Sequence, residues 1–152
     1  MEQNTCPFTY QEDHEAEAVA IFCMDHRFQK ATHHFIEDGL GIKHYDRVTI
    51  AGAGKSLLEP KDDPDYQVLE KQIDLSAHLH KIKKVLIVHH ADCGAYGGKK
   101  SFGNSDVEEQ KHLDDMEAIK QKVLGIIPGV EVIKIYMALT EDKKKIKPQI
   151  VS

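Results

Sequence analysis

Short apolar segments alternate with amphipathic segments along the 152-residue chain, and this alternation restricts the fold more than any other feature of the sequence. Four apolar runs have the length of buried strands, and three segments repeat apolar residues every three or four positions, as one face of a helix does. Strands that alternate with helices pair in parallel through right-handed crossovers. The pattern predicts an α/β fold, a mostly parallel open sheet with helices on both faces. The predicted strands are residues 18–23, 46–51, 84–89 and 130–139.

The ends of the predicted helices carry recognisable residues. We expect the first helix to end at Asp38-Gly39, with Gly39 in a left-handed cap conformation. Asp63 and Pro64 give the second helix a capping side chain followed by a proline in its first turn. A short C-terminal edge strand is expected at 146–151, where a proline is tolerated. The apolar helix positions are Phe28, Ala31, Thr32, Phe35 and Ile36, then Tyr66, Leu69, Ile73 and Ala77, then Leu113, Met116, Ile119 and Val123.

Composition favours one domain over residues 1–152, in which residues 1–16 form a polar leader. The hydrophobic content of 41% is enough for a single core at this length. The net charge is −5, and the only dense basic run lies at 143–147, so nucleic acid is not an expected partner. No segment approaches the ~18 consecutive apolar residues of a membrane span. Three scattered cysteines argue against a disulfide framework and predict a reducing, cytoplasmic location.

Two cysteines follow predicted strands. Cys23 closes the first strand, and Cys93 follows the third, just after His89 and His90. Ligands of open parallel sheets bind outside the carboxyl ends of the strands. If the first and third strands are neighbours, the two cysteines and one of the histidines converge. Two thiolates and an imidazole suit zinc, and three protein ligands leave a fourth position open, as in catalytic sites. Singly, each cysteine is more often a small buried apolar residue, and Cys6 is expected to be a free thiol.

A more specific pattern surrounds these residues. "CMDHRF" places Cys23, Asp25 and Arg27 at alternate positions, and "HADCG" places His90 three residues before Cys93. The chain resembles the β-class carbonic anhydrases, which carry Cys-x-Asp-x-Arg after the first strand and His-x-x-Cys-Gly after the third. The resemblance covers about two thirds of the chain, including "QVLEKQIDLSAHLHKIKKVLIVHHADCGA". It selects the second of the two adjacent histidines as the ligand.

The resemblance implies a chemistry for each of these residues. One Zn²⁺ per chain would be held by Cys23, His90 and Cys93, and a zinc-bound hydroxide would convert CO2 reversibly to bicarbonate. Asp25 would accept a hydrogen bond from that hydroxide, and Arg27 would hold Asp25 in place. The resemblance also implies a homodimer or a dimer of dimers.

Other interpretations of the same residues stay open. The zinc site could serve a hydrolase acting on COS or CS2, or Asp25 could be a permanent fourth ligand in a non-catalytic zinc-stabilised module. The Asp25–Arg27 pair could be an ordinary ion pair at a strand end. "AGAGKS", residues 51–56, ends like a phosphate-binding loop, but Thr49 stands where that motif needs glycine. These glycines are expected instead to let the loop pass close to the site.

Two features near the predicted site depart from the family pattern. Residues 49–53 read Thr-Ile-Ala-Gly-Ala where the family has Arg-Asn-Ala-Gly-Asn, so two polar side chains are absent. His26 stands between Asp25 and Arg27, and we interpret it as a solvent-facing spacer, with a proton shuttle as the alternative. Solvated surfaces are expected for His33, His34, His44 and His78.

Overall fold

Five strands form one sheet in the part of the chain that the computed structural model describes, residues 6–152. They are β1 (Ala18–Phe22), β2 (Tyr45–Thr49), β3 (Lys84–His90), β4 (Glu131–Leu139) and β5 (Ile146–Val151). Their order is β2-β1-β3-β4-β5, and β1 to β4 are parallel while β5 runs antiparallel to β4. The predicted mostly parallel sheet with a C-terminal edge strand is confirmed.

Within these described residues, three α-helices cover the sheet: α1 (His26–His34), α2 (Pro64–His80) and α3 (Ser105–Ile126). A side chain caps the start of each, because Asp25, Asp63 and Asn104 accept backbone N–H groups of the first turn. Short 3₁₀ turns occupy Ala53–Leu58, Gly94–Tyr96 and Lys99–Ser101. No helix within residues 6–152 combines the length and the apolar character that crossing a membrane requires.

Alternate residues of β1 point to opposite faces of the sheet and build two cores. Val19 and Ile21 pack with the buried residues of α2 and α3, whereas Ala18, Ala20 and Phe22 pack with Phe28 of α1. All five residues of β1 are buried because helices cover both faces. The prediction of helices on both faces is therefore confirmed.

The helical segment that begins with α1 ends at Gly39, as predicted, but its cap differs from the prediction. A π-helical turn, Phe35–Gly39, extends α1, and Gly41 rather than Gly39 has a positive φ, +71°. A Cβ atom on Gly39 would lie 2.7 Å from the Phe35 ring. Gly39 therefore permits close packing of an aromatic ring and does not serve as a left-handed cap.

The predicted polar leader lies on the surface where it is described. Residues 6–15 form neither helix nor strand and are exposed. The chain joins the domain at Ala16, whose N–H donates to the carbonyl of His80. Residues 1–5 of the predicted leader lie outside the described part.

Candidate metal centre

The three predicted metal ligands lie together at one edge of the sheet. Because β1 and β3 are paired with Phe22 opposite Val88, their carboxyl ends are adjacent. Cys23 follows β1 directly, and a tight turn after β3 returns Cys93 beside it, with a distance of 4.0 Å between the two Sγ atoms. The ligand atoms of Cys23, His90 and Cys93 all lie within 4.8 Å of one another, and all three residues are buried. The arrangement brings two sulfurs and one imidazole nitrogen around a common point.

The ring of His90 presents a free lone pair at this point. Its Nδ1 lies 2.7 Å from the carbonyl oxygen of Ala91. A carbonyl only accepts hydrogen bonds, so Nδ1 carries the proton and Nε2 carries the lone pair. Nε2 is buried and has no hydrogen-bond partner within residues 6–152. Phe28 fixes the ring plane, with ring centroids 4.2 Å apart. An unpaired buried acceptor is costly, and a metal ion would satisfy it.

The two cysteine sulfurs lie within hydrogen-bonding distance of each other. A hydrogen bond from Cys93 lowers the pKa of Cys23, and contacts with His90 and the Gly52 N–H lower it further. That same bond, together with burial, raises the pKa of Cys93. A cation bound by both sulfurs would displace the proton between them, because both cysteines bind metal as thiolates. Two thiolates and an imidazole form a soft set of ligands that fits Zn²⁺.

Asp25 and Arg27 form the predicted bidentate pair beside the cysteines. Arg27 Nη2 lies 2.6 Å from Asp25 Oδ2, and Arg27 Nε lies 3.0 Å from Oδ1. Asp25 Oδ1 also accepts the backbone N–H of Arg27 at 3.0 Å, which caps α1. The side-chain hydrogen bonds from Arg27 are the main reason that the pKa of Asp25 is lowered to about 2. Asp25 is consequently a carboxylate at neutral pH.

The loop after β2 approaches the sulfur of Cys23, as predicted for residues 51–56. The N–H of Gly52 lies 3.5 Å from Cys23 Sγ. Gly52 has φ +78°, and a Cβ atom there would lie 3.0 Å from that of Ala95. Glycine is required at this position by both its conformation and its closeness to Ala95. A 3₁₀ turn follows, not the α-helix of a phosphate-binding loop.

Asp92 and Glu108 belong to the site and were not identified from the sequence. Asp92 Oδ2 accepts from Arg27 Nη1 at 2.9 Å, and its carbonyl oxygen accepts from Nη2 at 3.1 Å. Glu108 Oε1 accepts the backbone N–H of Asp92 at 2.7 Å and is buried. The sequence does contain one sign of such residues. Glu108, His112 and Asp115 lie on the same helical face as the apolar residues Met116 and Ile119, nearer the start of α3. Polar residues on the buried face of a helix indicate specific partners.

His89 lies on the opposite face of the sheet from His90 because side chains alternate along a strand. Its Nδ1 is 3.0 Å from Nδ1 of His112, and the rings of Tyr96 and Tyr136 pack against His112. Burial lowers the pKa of His89 well below its usual value and that of His112 to about 4. Both histidines are therefore neutral and belong to the core. His90 is the histidine beside the cysteines, as the resemblance implied.

The remaining histidines largely follow the predictions. His34, His44 and His78 are exposed, and so is His26. His33 was predicted to be solvated, but it is half-buried: its ring packs edge-on against Phe22, with centroids 5.2 Å apart, and its Nδ1 lies 2.9 Å from the Tyr45 hydroxyl. Cys6 is an exposed free cysteine, as expected.

Comparison with known proteins agrees with this geometry. Residues 13–147 match the model of a protein family described as "Putative carbonic anhydrase". The chain belongs to this family. Two uncharacterized proteins from Rickettsia species are related to this family member. A protein of Rickettsia conorii is 26% identical over 82% of this chain and 69% of its own length, and one of Rickettsia bellii is 25% identical over 82% and 78%.

Solved carbonic anhydrases share the fold of this family member. The β-carbonic anhydrase isoform I of Trichomonas vaginalis superposes with a TM-score of 0.62 at 16% identity, covering 94% of this chain and 86% of that one. The carbonic anhydrase of Streptococcus mutans gives a TM-score of 0.50 at 15% identity, covering 93% and 87%. Together with the family match, this shared fold confirms the resemblance to β-class carbonic anhydrases, and the chain is a divergent member of the "Putative carbonic anhydrase" family.

Proposed function

We propose that the protein is a zinc enzyme that hydrates CO2 reversibly to bicarbonate. The observation that carries this proposal is the buried cluster of Cys23, His90 and Cys93, in which the Nε2 lone pair of His90 has no partner within residues 6–152. The cluster lies at the strand ends where ligands bind in parallel sheets. Family membership and the shared fold support the same reaction class.

The three side chains would hold one zinc ion and leave its fourth coordination position open. Zinc bound there would supply a hydroxide nucleophile near neutral pH, because it lowers the pKa of water to ~7. The carbonyl of Ala91 holds the His90 ring in the tautomer that exposes Nε2. The N–H of Gly52 points to the Cys23 sulfur and stabilises its negative charge.

Asp25 would orient the nucleophile. An ionised carboxylate accepts hydrogen bonds only, and its two oxygens offer about four lone-pair positions. The hydrogen bonds from Arg27 use some of these lone pairs and keep the carboxylate turned toward the guanidinium. The other lone pairs can accept the proton of the nucleophile. This arrangement also argues against Asp25 as a permanent metal ligand, since binding zinc would cost its bonds to Arg27.

Metal analysis and stopped-flow CO2 hydration test the proposal together. We expect about one zinc per purified chain and hydration that disappears on chelation and returns when zinc is added. A faster turnover of COS or CS2 than of CO2 would assign the site to the alternative hydrolase. Full zinc occupancy without turnover of any of these substrates, at any pH up to 9, would indicate the non-catalytic module.

We further propose that the active unit is a homodimer or a dimer of dimers. Phe8 and Tyr10 are 84% and 81% exposed on the N-terminal segment. Large aromatic side chains contribute strongly to interfaces between subunits. Light scattering is expected to give at least twice the chain mass of 17.2 kDa at micromolar concentration. Phe8→Ser with Tyr10→Ser should lower this mass, whereas a parent protein that is monomeric with zinc and full activity would refute the assembly.

A further inference from the structure

Arg27 pairs with two carboxylates, those of Asp25 and Asp92, and only Asp25 belongs to the Cys-x-Asp-x-Arg motif. Arg27 Nε donates to the carboxylate of Asp25. On the other side, Arg27 Nη1 donates to the carboxylate of Asp92, and Nη2 donates to the carbonyl oxygen of Asp92. The Arg27 side chain is 49% exposed, yet all three of its nitrogens donate to these two residues. The orientation of the guanidinium therefore depends on Asp92 as well as on Asp25.

Asp92 is itself fixed by its backbone conformation and by two hydrogen bonds. It has a φ of +55°, which aspartate tolerates better than most residues and which turns the chain between His90 and Cys93. Its Oδ1 accepts the N–H of Lys99 at 3.0 Å, and its own N–H donates to Glu108 of α3. The Asp92 carboxylate is thus attached to a loop whose two ends are proposed metal ligands.

We propose that Asp92 is a positioning residue: by anchoring the far side of Arg27, it keeps the guanidinium on Asp25 and so keeps the Asp25 carboxylate off the metal. This inference rests on the proposed zinc site. Without the Asp92 contact, Arg27 can swing toward solvent, and Asp25 is freed to take the open coordination position. Asp92 is outside the group of candidate metal ligands, and it acts through Arg27.

Azide binding to the Co²⁺-substituted protein measures how open the fourth position is, since the visible spectrum of Co²⁺ changes when an anion binds. Asp92→Asn keeps the Oδ1 acceptor for Lys99 but places an NH2 group opposite Arg27 Nη1. We expect this variant to load cobalt and to bind azide roughly three- to tenfold more weakly than the parent. Asp38→Asn, which alters an exposed carboxylate paired with Lys43 and His34, should match the parent.

A double-mutant cycle separates positioning from a general structural role. Arg27→Ala should weaken azide binding at least as much as Asp92→Asn, and adding Asp92→Asn to Arg27→Ala should change nothing further. Asp92→Gly suits the positive φ and provides a variant that folds even if Asp92→Asn does not. It should weaken azide binding similarly.

Parent-like azide affinity in both Asp92 variants, or additive effects of Asp92→Asn and Arg27→Ala, would overturn the inference. If Asp92→Gly weakens azide binding and Asp92→Asn does not, the contact with Lys99 matters and the contact with Arg27 does not. This result would also overturn the inference. A parent that binds no cobalt refutes the site and this inference together. A parent that shows these azide shifts but no CO2 hydration refutes only the proposed function.

Discussion

Replacement of Asp25 by Asn should leave zinc in place and reduce CO2 hydration at pH 8 by at least about a hundredfold, the usual range for losing a group that handles a proton in the transition state. The helix should survive, because asparagine caps a helix as well as aspartate does. The amide can place its NH2 where the carboxylate oxygen accepted, and an NH2 group cannot accept the nucleophile's proton. Zinc analysis and stopped-flow hydration measure the two expectations.

The pH profile sharpens this test. Arg27 lowers the pKa of Asp25 to about 2, so the carboxylate stays charged throughout the working range, and its titration cannot limit activity near neutrality. Activity of the parent should therefore rise with pH only as hydroxide becomes available. Asp63→Asn is the matched control, because Asp63 caps α2 in the same way and lies outside the cluster. Parent-like turnover of Asp25→Asn would remove Asp25 from the mechanism, and loss of zinc from it would support the module.

Replacement of Cys93 by Ser should abolish both metal binding and activity. A serine hydroxyl stays protonated near neutral pH and is a poor ligand for zinc, whereas a thiolate binds at ~2.3 Å. We expect less than about a tenth of a zinc ion per chain and hydration at the background rate. The side chain is buried and similar in size to serine, so the far-ultraviolet circular dichroism should remain that of an α/β protein.

The third cysteine provides the control for this experiment. Cys6 is exposed and is not among the residues that gather at the cluster, so Cys6→Ser should keep full zinc content and activity. Full zinc occupancy in a variant lacking both Cys23 and Cys93 would rule out this site.

The architecture was predictable because each element carries its own local signal. Period and length distinguish buried strands from amphipathic helices, and Asp63-Pro64 locates the start of α2 correctly. The edge strand at 146–151 matches the prediction residue for residue. The cap of the first helix was not predictable, because Gly39 makes room for the ring of Phe35, a contact that no local pattern records.

The candidate site was predictable only in part. The two motifs and the expected adjacency of the first and third strands predicted that Cys23, His90 and Cys93 would meet. The structure places their ligand atoms together. Asp92 and Glu108 were not predicted, because they matter through hydrogen bonds to residues on other elements of the fold. Arg27 and Asp92 are 65 residues apart in the sequence, and Asp92 and Glu108 are 16 apart. The spacing of residues in a single sequence indicates which polar side chains face the core. It does not indicate which of these side chains contact one another.

The adjacency of β1 and β3 also sets the order of events when the protein forms. Cys23 and Cys93 are separated by 70 residues, and only pairing of these two strands brings their sulfurs within reach. Pairing two strands so far apart in the chain closes a long loop, which costs conformational entropy. A nascent chain that has not yet paired the two strands offers His90 and Cys93 alone, too few ligands for a tight site. The three-ligand site therefore forms only once β1 and β3 have paired, and metal bound by all three side chains shows that this pairing has taken place.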